Sequence, residues 1–186
     1  MSGRPEERQV QDPDPRTLAL AREGDLRAFE ELVRMYQADV YRFACHLTRD
    51  RSLAEDVAQE TFLRAFRFLS SFRGDSRFAS WLLRICRNCS MDALRARRAI
   101  VAREELEPRR PVAIADAAAR AELRAALDSI EDEHREPFLL IEVFGLSYQE
   151  AADVLRLKVG TVKSRMHRAR KALCRALAEE EDAGEV

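Results

Sequence analysis

The chain has 186 residues, 46% of them apolar and 35% charged, the balance of a folded protein with one ordinary domain or two small ones, and this excludes disorder throughout. Its formal net charge of -1 conceals a split, because residues 156–175 carry eight Lys or Arg and no acid while residues 176–186 carry five acids and no base. No window approaches the roughly 20 apolar residues that span a bilayer, which excludes stable membrane insertion and points to a cytoplasmic protein.

Residues 1–16, with Pro5, Pro13 and Pro15, read as a flexible tail. From Asp25 a period of about 3.6 residues begins with Leu26, Phe29, Val33, Tyr36, Val40, Phe43 and Leu47, which predicts a long amphipathic helix. A second helix is expected to open at Ser52, with Glu55 three residues on as in a capping box, and to carry Leu53, Val57, Phe62, Phe66 and Leu69 before ending near Ser70. In residues 72–76 Gly74 suits a turn and Asp75 or Ser76 a cap, after which residues 78–98 read as a third long helix. These three helices are expected to share one core.

Between residues 99 and 117 the periodicity fades, and Pro108 and Pro111 bracket an Arg pair, so a linker is placed there. A second block spans 118–180, with helices near 118–130 and 133–144, a short one capped by Ser147 and Glu150, and a last one from about Gly160 to Glu180. Residues 181–186 form an acidic tail. No strand pattern and no repeat is evident, so the fold class is all-α, two small helical domains (17–98 and 118–180) joined by a flexible linker.

Chemistry concentrates in residues 145–173, GLSYQEAADVLRLKVGTVKSRMHRARKAL, where a capped helix of about eight residues, a short turn and a longer basic helix have helix-turn-helix spacing. With Val162 at zero and 100 degrees per residue, Met166, Ala169 and Leu173 fall within about 40 degrees of it as a buried stripe. Lys163, Ser164, His167, Arg168 and Lys171 fall on the opposite side, where base edges would be met, and Arg165 and Arg170 flank them at positions suited to phosphates. The plainer alternative is a merely solvated basic face; the turn and caps favour DNA.

VGTVKSRMHRARKAL resembles the recognition helix of the fourth domain of bacterial sigma factors. AEDVAQETFLRAF (54–66) and FRGDSRFASWLLRICRNCSMDALRARR (72–98) resemble their second domain. Both motifs occur in the family's order, and the linker leaves no room for a third domain, so the chain is identified as a member of the extracytoplasmic-function (ECF) group of the sigma-70 family. Lys158 departs from the proline that many relatives carry before Val-Gly-Thr.

The resemblance implies a non-enzymatic transcription initiation factor without cofactor or metal, whose partners are core RNA polymerase, promoter DNA and an anti-sigma factor, often membrane-bound. It implies that residues 17–98 are sigma domain 2 and residues 118–180 sigma domain 4. Contacts with the polymerase would involve the clamp coiled coil of the largest subunit and the flap of the second-largest. Asp56, Gln59, Glu60 and Phe62 are the implied clamp-docking residues, and the three polar ones are three and four apart, hence on one side of a helix.

The minus-ten element, single-stranded when read, is implied to meet Phe72, Arg73, Gly74, Asp75, Ser76, Arg84, Arg87, Asn88, Asp92 and Arg95. A flipped base would enter a pocket near Asn88, whose amide can both donate and accept; the alternative is an exposed helix-face amide. The double-stranded minus-thirty-five element is implied to meet Thr161, Lys163, Ser164, Arg165, His167, Arg168, Arg170 and Lys171.

Phe72 and Trp81 invite base stacking, although Trp81 is expected in the core. Cys86 and Cys89 have the spacing of a redox pair or half a zinc site, but both lie on the apolar side of the third helix and are expected to be buried thiols; Cys45 and His46 diverge by about 100 degrees as helix neighbours. Two other readings remain open: a free-standing helix-turn-helix regulator, which has no use for the first block, and a thiol-based redox sensor, for which a helical CxxC is weak support.

Overall fold

A computed structural model describes residues 10–104, 127 and 129–183, which are helical and turn in character with no strand among them. The chain divides into two units, the first spanning Val10–Val112 and the second beginning at Ala113. No described helix is long and apolar enough to cross a membrane.

The first unit contains α1 (Pro15–Arg22), α2 (Leu26–Thr48), α3 (Arg51–Phe68) and α4 (Phe78–Glu104), with a single 3-10 turn at Leu69–Ser71. The starts of α1, α2 and α3 are each capped by an aspartate. Asp14 accepts from the N–H groups of Arg16 and Thr17, and Asp25 from those of Arg27 and Ala28, satisfying donors that have no partner inside the helix. α3 opens at Asp50, whose carboxylate accepts from Leu53 N–H, so the capping box expected at Ser52 does not form. Asp50 competes better because its other oxygen also meets Arg97 from α4 at 2.9 Å, and these interactions hold its carboxyl below the usual range.

Residues 10–16 are not the expected loose tail. Val10 is buried, Arg77 donates to its carbonyl and pairs with Asp12 at 3.0 Å, and the hydroxyl of buried Tyr36 donates to the carbonyl of Gln11 at 2.6 Å. Pro15 begins a helix because a first-turn proline lacks only a donor that would go unused.

α3 packs against both α2 and α4, and its inner face is made of Ala54, Val57, Thr61 and Ala65. The expected stripe is corrected here: Leu53 and Phe62 are half-buried, and Phe66 is exposed with its edge against Phe29 at 5.0 Å. The step from Val57 to Phe62 is five residues, which turns Phe62 and Phe66 about 140 and 180 degrees away from Val57. Small residues instead let the helices approach, and buried Thr61 satisfies its hydroxyl on the Val57 carbonyl at 2.7 Å. In α2 the stripe likewise starts on Ala28 and Leu32, leaving Leu26 exposed, before following Tyr36, Val40 and Phe43 as expected.

α4 begins at Phe78, continues past residue 98 to Glu104 and so occupies the start of the expected linker. The rest of that linker, most of the helix expected near 118–130 and the end of the acidic tail lie outside the described residues.

The second unit contains α5 (Asp132–Phe138), one π-turn at Leu139–Val143, α6 (Tyr148–Leu155) and α7 (Val159–Ala183). Buried Arg135 donates to the carbonyls of Leu127 and Ile130 and pairs with Asp132 at 3.1 Å, tying the segment before α5 to the helix. Ser147 and Glu150 make the expected reciprocal capping box. α6 ends on Arg156 in the left-handed region at φ 56, and residues 156–158 turn the chain into α7.

Candidate functional site

The recognition face of α7 is built by burial of its opposite side. Val162, Met166 and Ala169 are buried, each at most 1% exposed, which fixes the rotation of the helix and places Lys163, Ser164, His167, Arg168 and Lys171 outward. Thr161 is half-buried at the helix start, where its N–H bonds the Lys158 carbonyl. Lys158 thus supports the turn through its carbonyl, which also accepts from Val162 N–H at 3.1 Å. The Ser164 hydroxyl donates to Thr161 O at 2.9 Å and retains its accepting lone pairs.

Flanking arginines behave differently from central ones. Arg165 pairs with Glu133 of α5 at 3.0 Å, and Arg170 with Glu142 of the π-turn at 2.6 Å; the latter bond raises the Arg170 pKa further. Among the described residues no ion pair holds Lys163, Arg168 or Lys171. The outer face therefore presents three uncommitted cations at its centre and two arginines shared with carboxylates at its edges, a pattern that attracts a polyanion while fixing the edge side chains in place.

In the first unit, Asp56 and Gln59 of α3 are exposed, and Glu60 and Phe62 are half-buried. Leu63, missed by sequence reasoning, is 54% exposed beside them and completes the i, i+3, i+4, i+7 set Asp56, Gln59, Glu60, Leu63 on one face. Its exposure had no signal in the sequence, because packing of α3 against both α2 and α4 is what selects the small residues for the inner face.

The loop after α3 is anchored by aromatic packing. Phe72 is buried, with its ring 5.7 Å from Phe78 and 5.3 Å from Trp81. The expectation of a stacking face at Phe72 is corrected: the ring holds the loop onto the first turn of α4, and Trp81 is in the core as expected. Arg73, Gly74 and Asp75 are exposed, Ser76 is half-buried, and Gly74 adopts φ 81, which an L side chain would resist. Asn88 lies ten residues along α4 from Phe78, about 15 Å away, and is half-buried like Arg84 and Arg87. Asp92 and Arg95 are exposed and paired at 2.6 Å, and Asp92 is also 3.0 Å from Arg64 of α3; the two arginines hold its carboxyl below the usual range, Arg64 most strongly.

The cysteines divide by burial. Cys45, Cys86 and Cys89 are buried and Cys174 is exposed. Cys86 donates to the Val40 carbonyl at 3.6 Å, and burial pushes its thiol up to about 12, the reverse of what a reactive thiolate requires. Glu131, Glu133 and His134 bring one potential ligand atom each within 4.8 Å of one another, but Glu133 is already shared between His134 and Arg165 and both carboxylates are exposed, an arrangement common without any ion.

Comparison with known proteins identifies the family. Residues 32–100 match the family described as Sigma-70 region 2, and residues 120–173 match Sigma-70, region 4. The chain is 35% identical to the RNA polymerase sigma-H factor of Pseudomonas aeruginosa, over 90% of this chain and 95% of that protein. It is 38% identical to the ECF RNA polymerase sigma factor SigE of Mycolicibacterium smegmatis, over 78% of this chain and 60% of that one. Among solved structures, the sigma factor RpoE in complex with the anti-sigma factor NepR from Bartonella quintana has a TM-score of 0.75 at 29% identity, covering 82% of this chain and 98% of that one.

Proposed function

The chain belongs to the ECF group of the sigma-70 family and is a sigma factor acting in transcription initiation, and from that premise we propose how its surfaces divide the work. α7 enters the major groove at the minus-thirty-five element. There Lys163 and Arg168 contact base edges, His167 lies between them, and Thr161, Ser164 and Lys171 line the same face. Arg165 and Arg170 bind phosphates, exchanging their carboxylate partners for the backbone. The observation that carries this reading is the rotation of α7, in which buried Val162, Met166 and Ala169 leave the uncommitted cations on the single outward face.

In the first unit, Asp56, Gln59 and Glu60, with Phe62 and exposed Leu63, dock on the basic clamp coiled coil of core RNA polymerase. A polar rim around an apolar side chain suits a protein partner better than water alone. The loop Arg73, Gly74, Asp75 and Ser76, held by Phe72, and the α4 residues Arg84, Arg87, Asn88, Asp92 and Arg95 receive the minus-ten strand as it separates. Asn88 reads one extruded base on its Watson–Crick edge. The flap of the second-largest subunit engages the second unit.

Family members are non-enzymatic initiation factors, so this chain supplies recognition and melting while its polymerase partner supplies catalysis. An anti-sigma factor controls it by covering these surfaces; the structural neighbour's complex with NepR supports a partner of that kind, and a membrane-bound inhibitor would hold it at the membrane without any insertion of its own. The test is co-purification of the full chain with core polymerase, followed by run-off transcription on the region upstream of its gene. Assembly with promoter-dependent transcripts is expected; a chain that binds DNA alone and ignores core polymerase would favour a free-standing regulator.

A further inference from the structure

Four side chains of alternating charge run from α3 to α4. Arg64 Nε donates to Glu60 Oε1 at 2.6 Å, Arg64 Nη1 to Asp92 Oδ2 at 3.0 Å, and Arg95 Nη2 to Asp92 Oδ1 at 2.6 Å. The planar guanidinium has donors on separate nitrogens, so Arg64 serves two carboxylates at once, which a lysine ammonium on a flexible stem does less well. Its side chain is 33% exposed and lies near the buried thiol of Cys89, a setting in which water and dissolved ions screen its ion pairs less than in open solvent. Glu60 belongs to the polymerase-docking face proposed above, and Asp92 and Arg95 to the promoter face.

We propose that Arg64 is a positioning residue that couples the two faces: its fork between Glu60 and Asp92 makes docking on Glu60 alter how tightly Asp92 holds Arg95. The inference rests on the docking and promoter roles already assigned. When a basic group of the polymerase takes Glu60, Arg64 loses a share of one carboxylate and draws more strongly on the other. Asp92 then divides its charge less in favour of Arg95, whose guanidinium becomes more available to a phosphate of the minus-ten strand. In the undocked chain the same contacts keep Arg95 paired, so promoter holding is favoured after assembly. Nothing covalent changes; the coupling is a redistribution of ion pairs between two helices already packed together.

Removing Arg64 while keeping its apolar stem isolates this role. In Arg64→Met, Asp92 has only Arg95 to neutralise it, so Arg95 is pinned, while Glu60 is left free for the polymerase. Core polymerase affinity of the full chain, and promoter retention by holoenzyme assembled at saturating chain, are measured separately. Arg64→Met should keep core affinity at or above wild type and lose promoter retention about three- to fivefold, the scale of one or two partly exposed ion pairs. Asp92→Asn, added to Arg64→Met, should restore retention by releasing Arg95, a rescue that loss of a merely structural bond would not give. If the double variant retains promoter no better than Arg64→Met, or if Arg64→Met weakens core affinity and leaves retention unchanged, the coupling is overturned. Failure of the wild-type chain to bind core polymerase would instead overturn the docking assignment together with the coupling built on it.

Discussion

Arg170 on the recognition helix and Glu142 on the π-turn are joined at 2.6 Å, so the arginine that is to meet a phosphate is already held by a carboxylate of its own unit. Phosphate binding at this position is therefore an exchange of partners. Glu142→Gln should release Arg170 and raise promoter affinity of the holoenzyme about two- to fivefold at every promoter alike. Arg170→Ala should weaken all promoters and flatten the salt dependence of binding by about one counterion. Equilibrium binding across a salt series checks both, and an affinity indifferent to Glu142→Gln would mean that Arg170 contacts no phosphate.

The docking face makes a separate prediction. Charge reversal in Glu60→Lys places a cation beside Arg64 and opposite a basic partner helix, and core polymerase affinity should fall by at least tenfold. Leu63→Ala should weaken the same assembly without changing promoter ranking, since truncating an apolar group at an interface costs about 1 to 3 kcal/mol when that group is buried by the partner. Fluorescence titration of labelled chain with core polymerase gives both values. Wild-type affinity in Glu60→Lys would remove this face from the interface.

Asn88 is expected to discriminate one base. Its half-buried amide on α4 can pair with a Watson–Crick edge that the Ala variant cannot read. Asn88→Ala should alter preference at one minus-ten position by about 1 to 3 kcal/mol, the worth of a specific base contact, and leave the others in order. A uniform loss across promoter variants would make Asn88 a support of the fold.

Cys86 and Cys89 are predicted to be structural. With the Cys86 thiol pushed from its ordinary 9.0 up to about 12 by burial, the native chain keeps between those values a proton that the unfolded chain has lost. The stability from burying a neutral thiol is thus complete below about pH 9 and declines as pH rises toward 12. Cys86→Ala should flatten that decline in urea unfolding series run at pH 8 and pH 10. Transcription by the double Ala variant should respond to peroxide as the wild type does. Peroxide-dependent loss that disappears in the double variant would revive the sensor reading.

Much of this was legible in the sequence where a local rule had no competitor. The capping box of Ser147 and Glu150, the stripe Val162, Met166 and Ala169, and the burial of the Cys86–Cys89 pair follow from spacing, and the structure reproduces them, although Leu173, expected to continue that stripe, is only half-buried; Trp81 is buried as expected. The inner face of α3 was not legible, because Phe62 and Phe66 carry more apolar surface than Ala54, Thr61 and Ala65, yet close helix packing on two sides selects the small residues. Asp50 displaced Ser52 as a cap through a tertiary partner, Arg97, that no window around residue 50 contains. The anchoring of residues 10–14 is equally nonlocal: Tyr36 and Arg77, far along the chain, supply its bonds. The roles of Arg64 and Arg135 share this cause in part: beside the local partners Glu60 and Asp132 that helix spacing allows, Arg64 reaches Asp92 of α4 and Arg135 the carbonyls of Leu127 and Ile130, which no helix pattern reveals.

If one chain reads two promoter elements with two separate helices, transcription from a library of promoters varied at both elements will separate the two contributions. Holoenzyme is reconstituted from core polymerase and the full chain, wild type, Arg168→Ala or Asn88→Ala, and transcripts are sequenced to rank the promoters. Arg168→Ala should relax preference at a minus-thirty-five position and leave the minus-ten ranking intact, and Asn88→Ala should do the reverse. An unchanged ranking in both variants, or an equal loss at every promoter, would contradict the account.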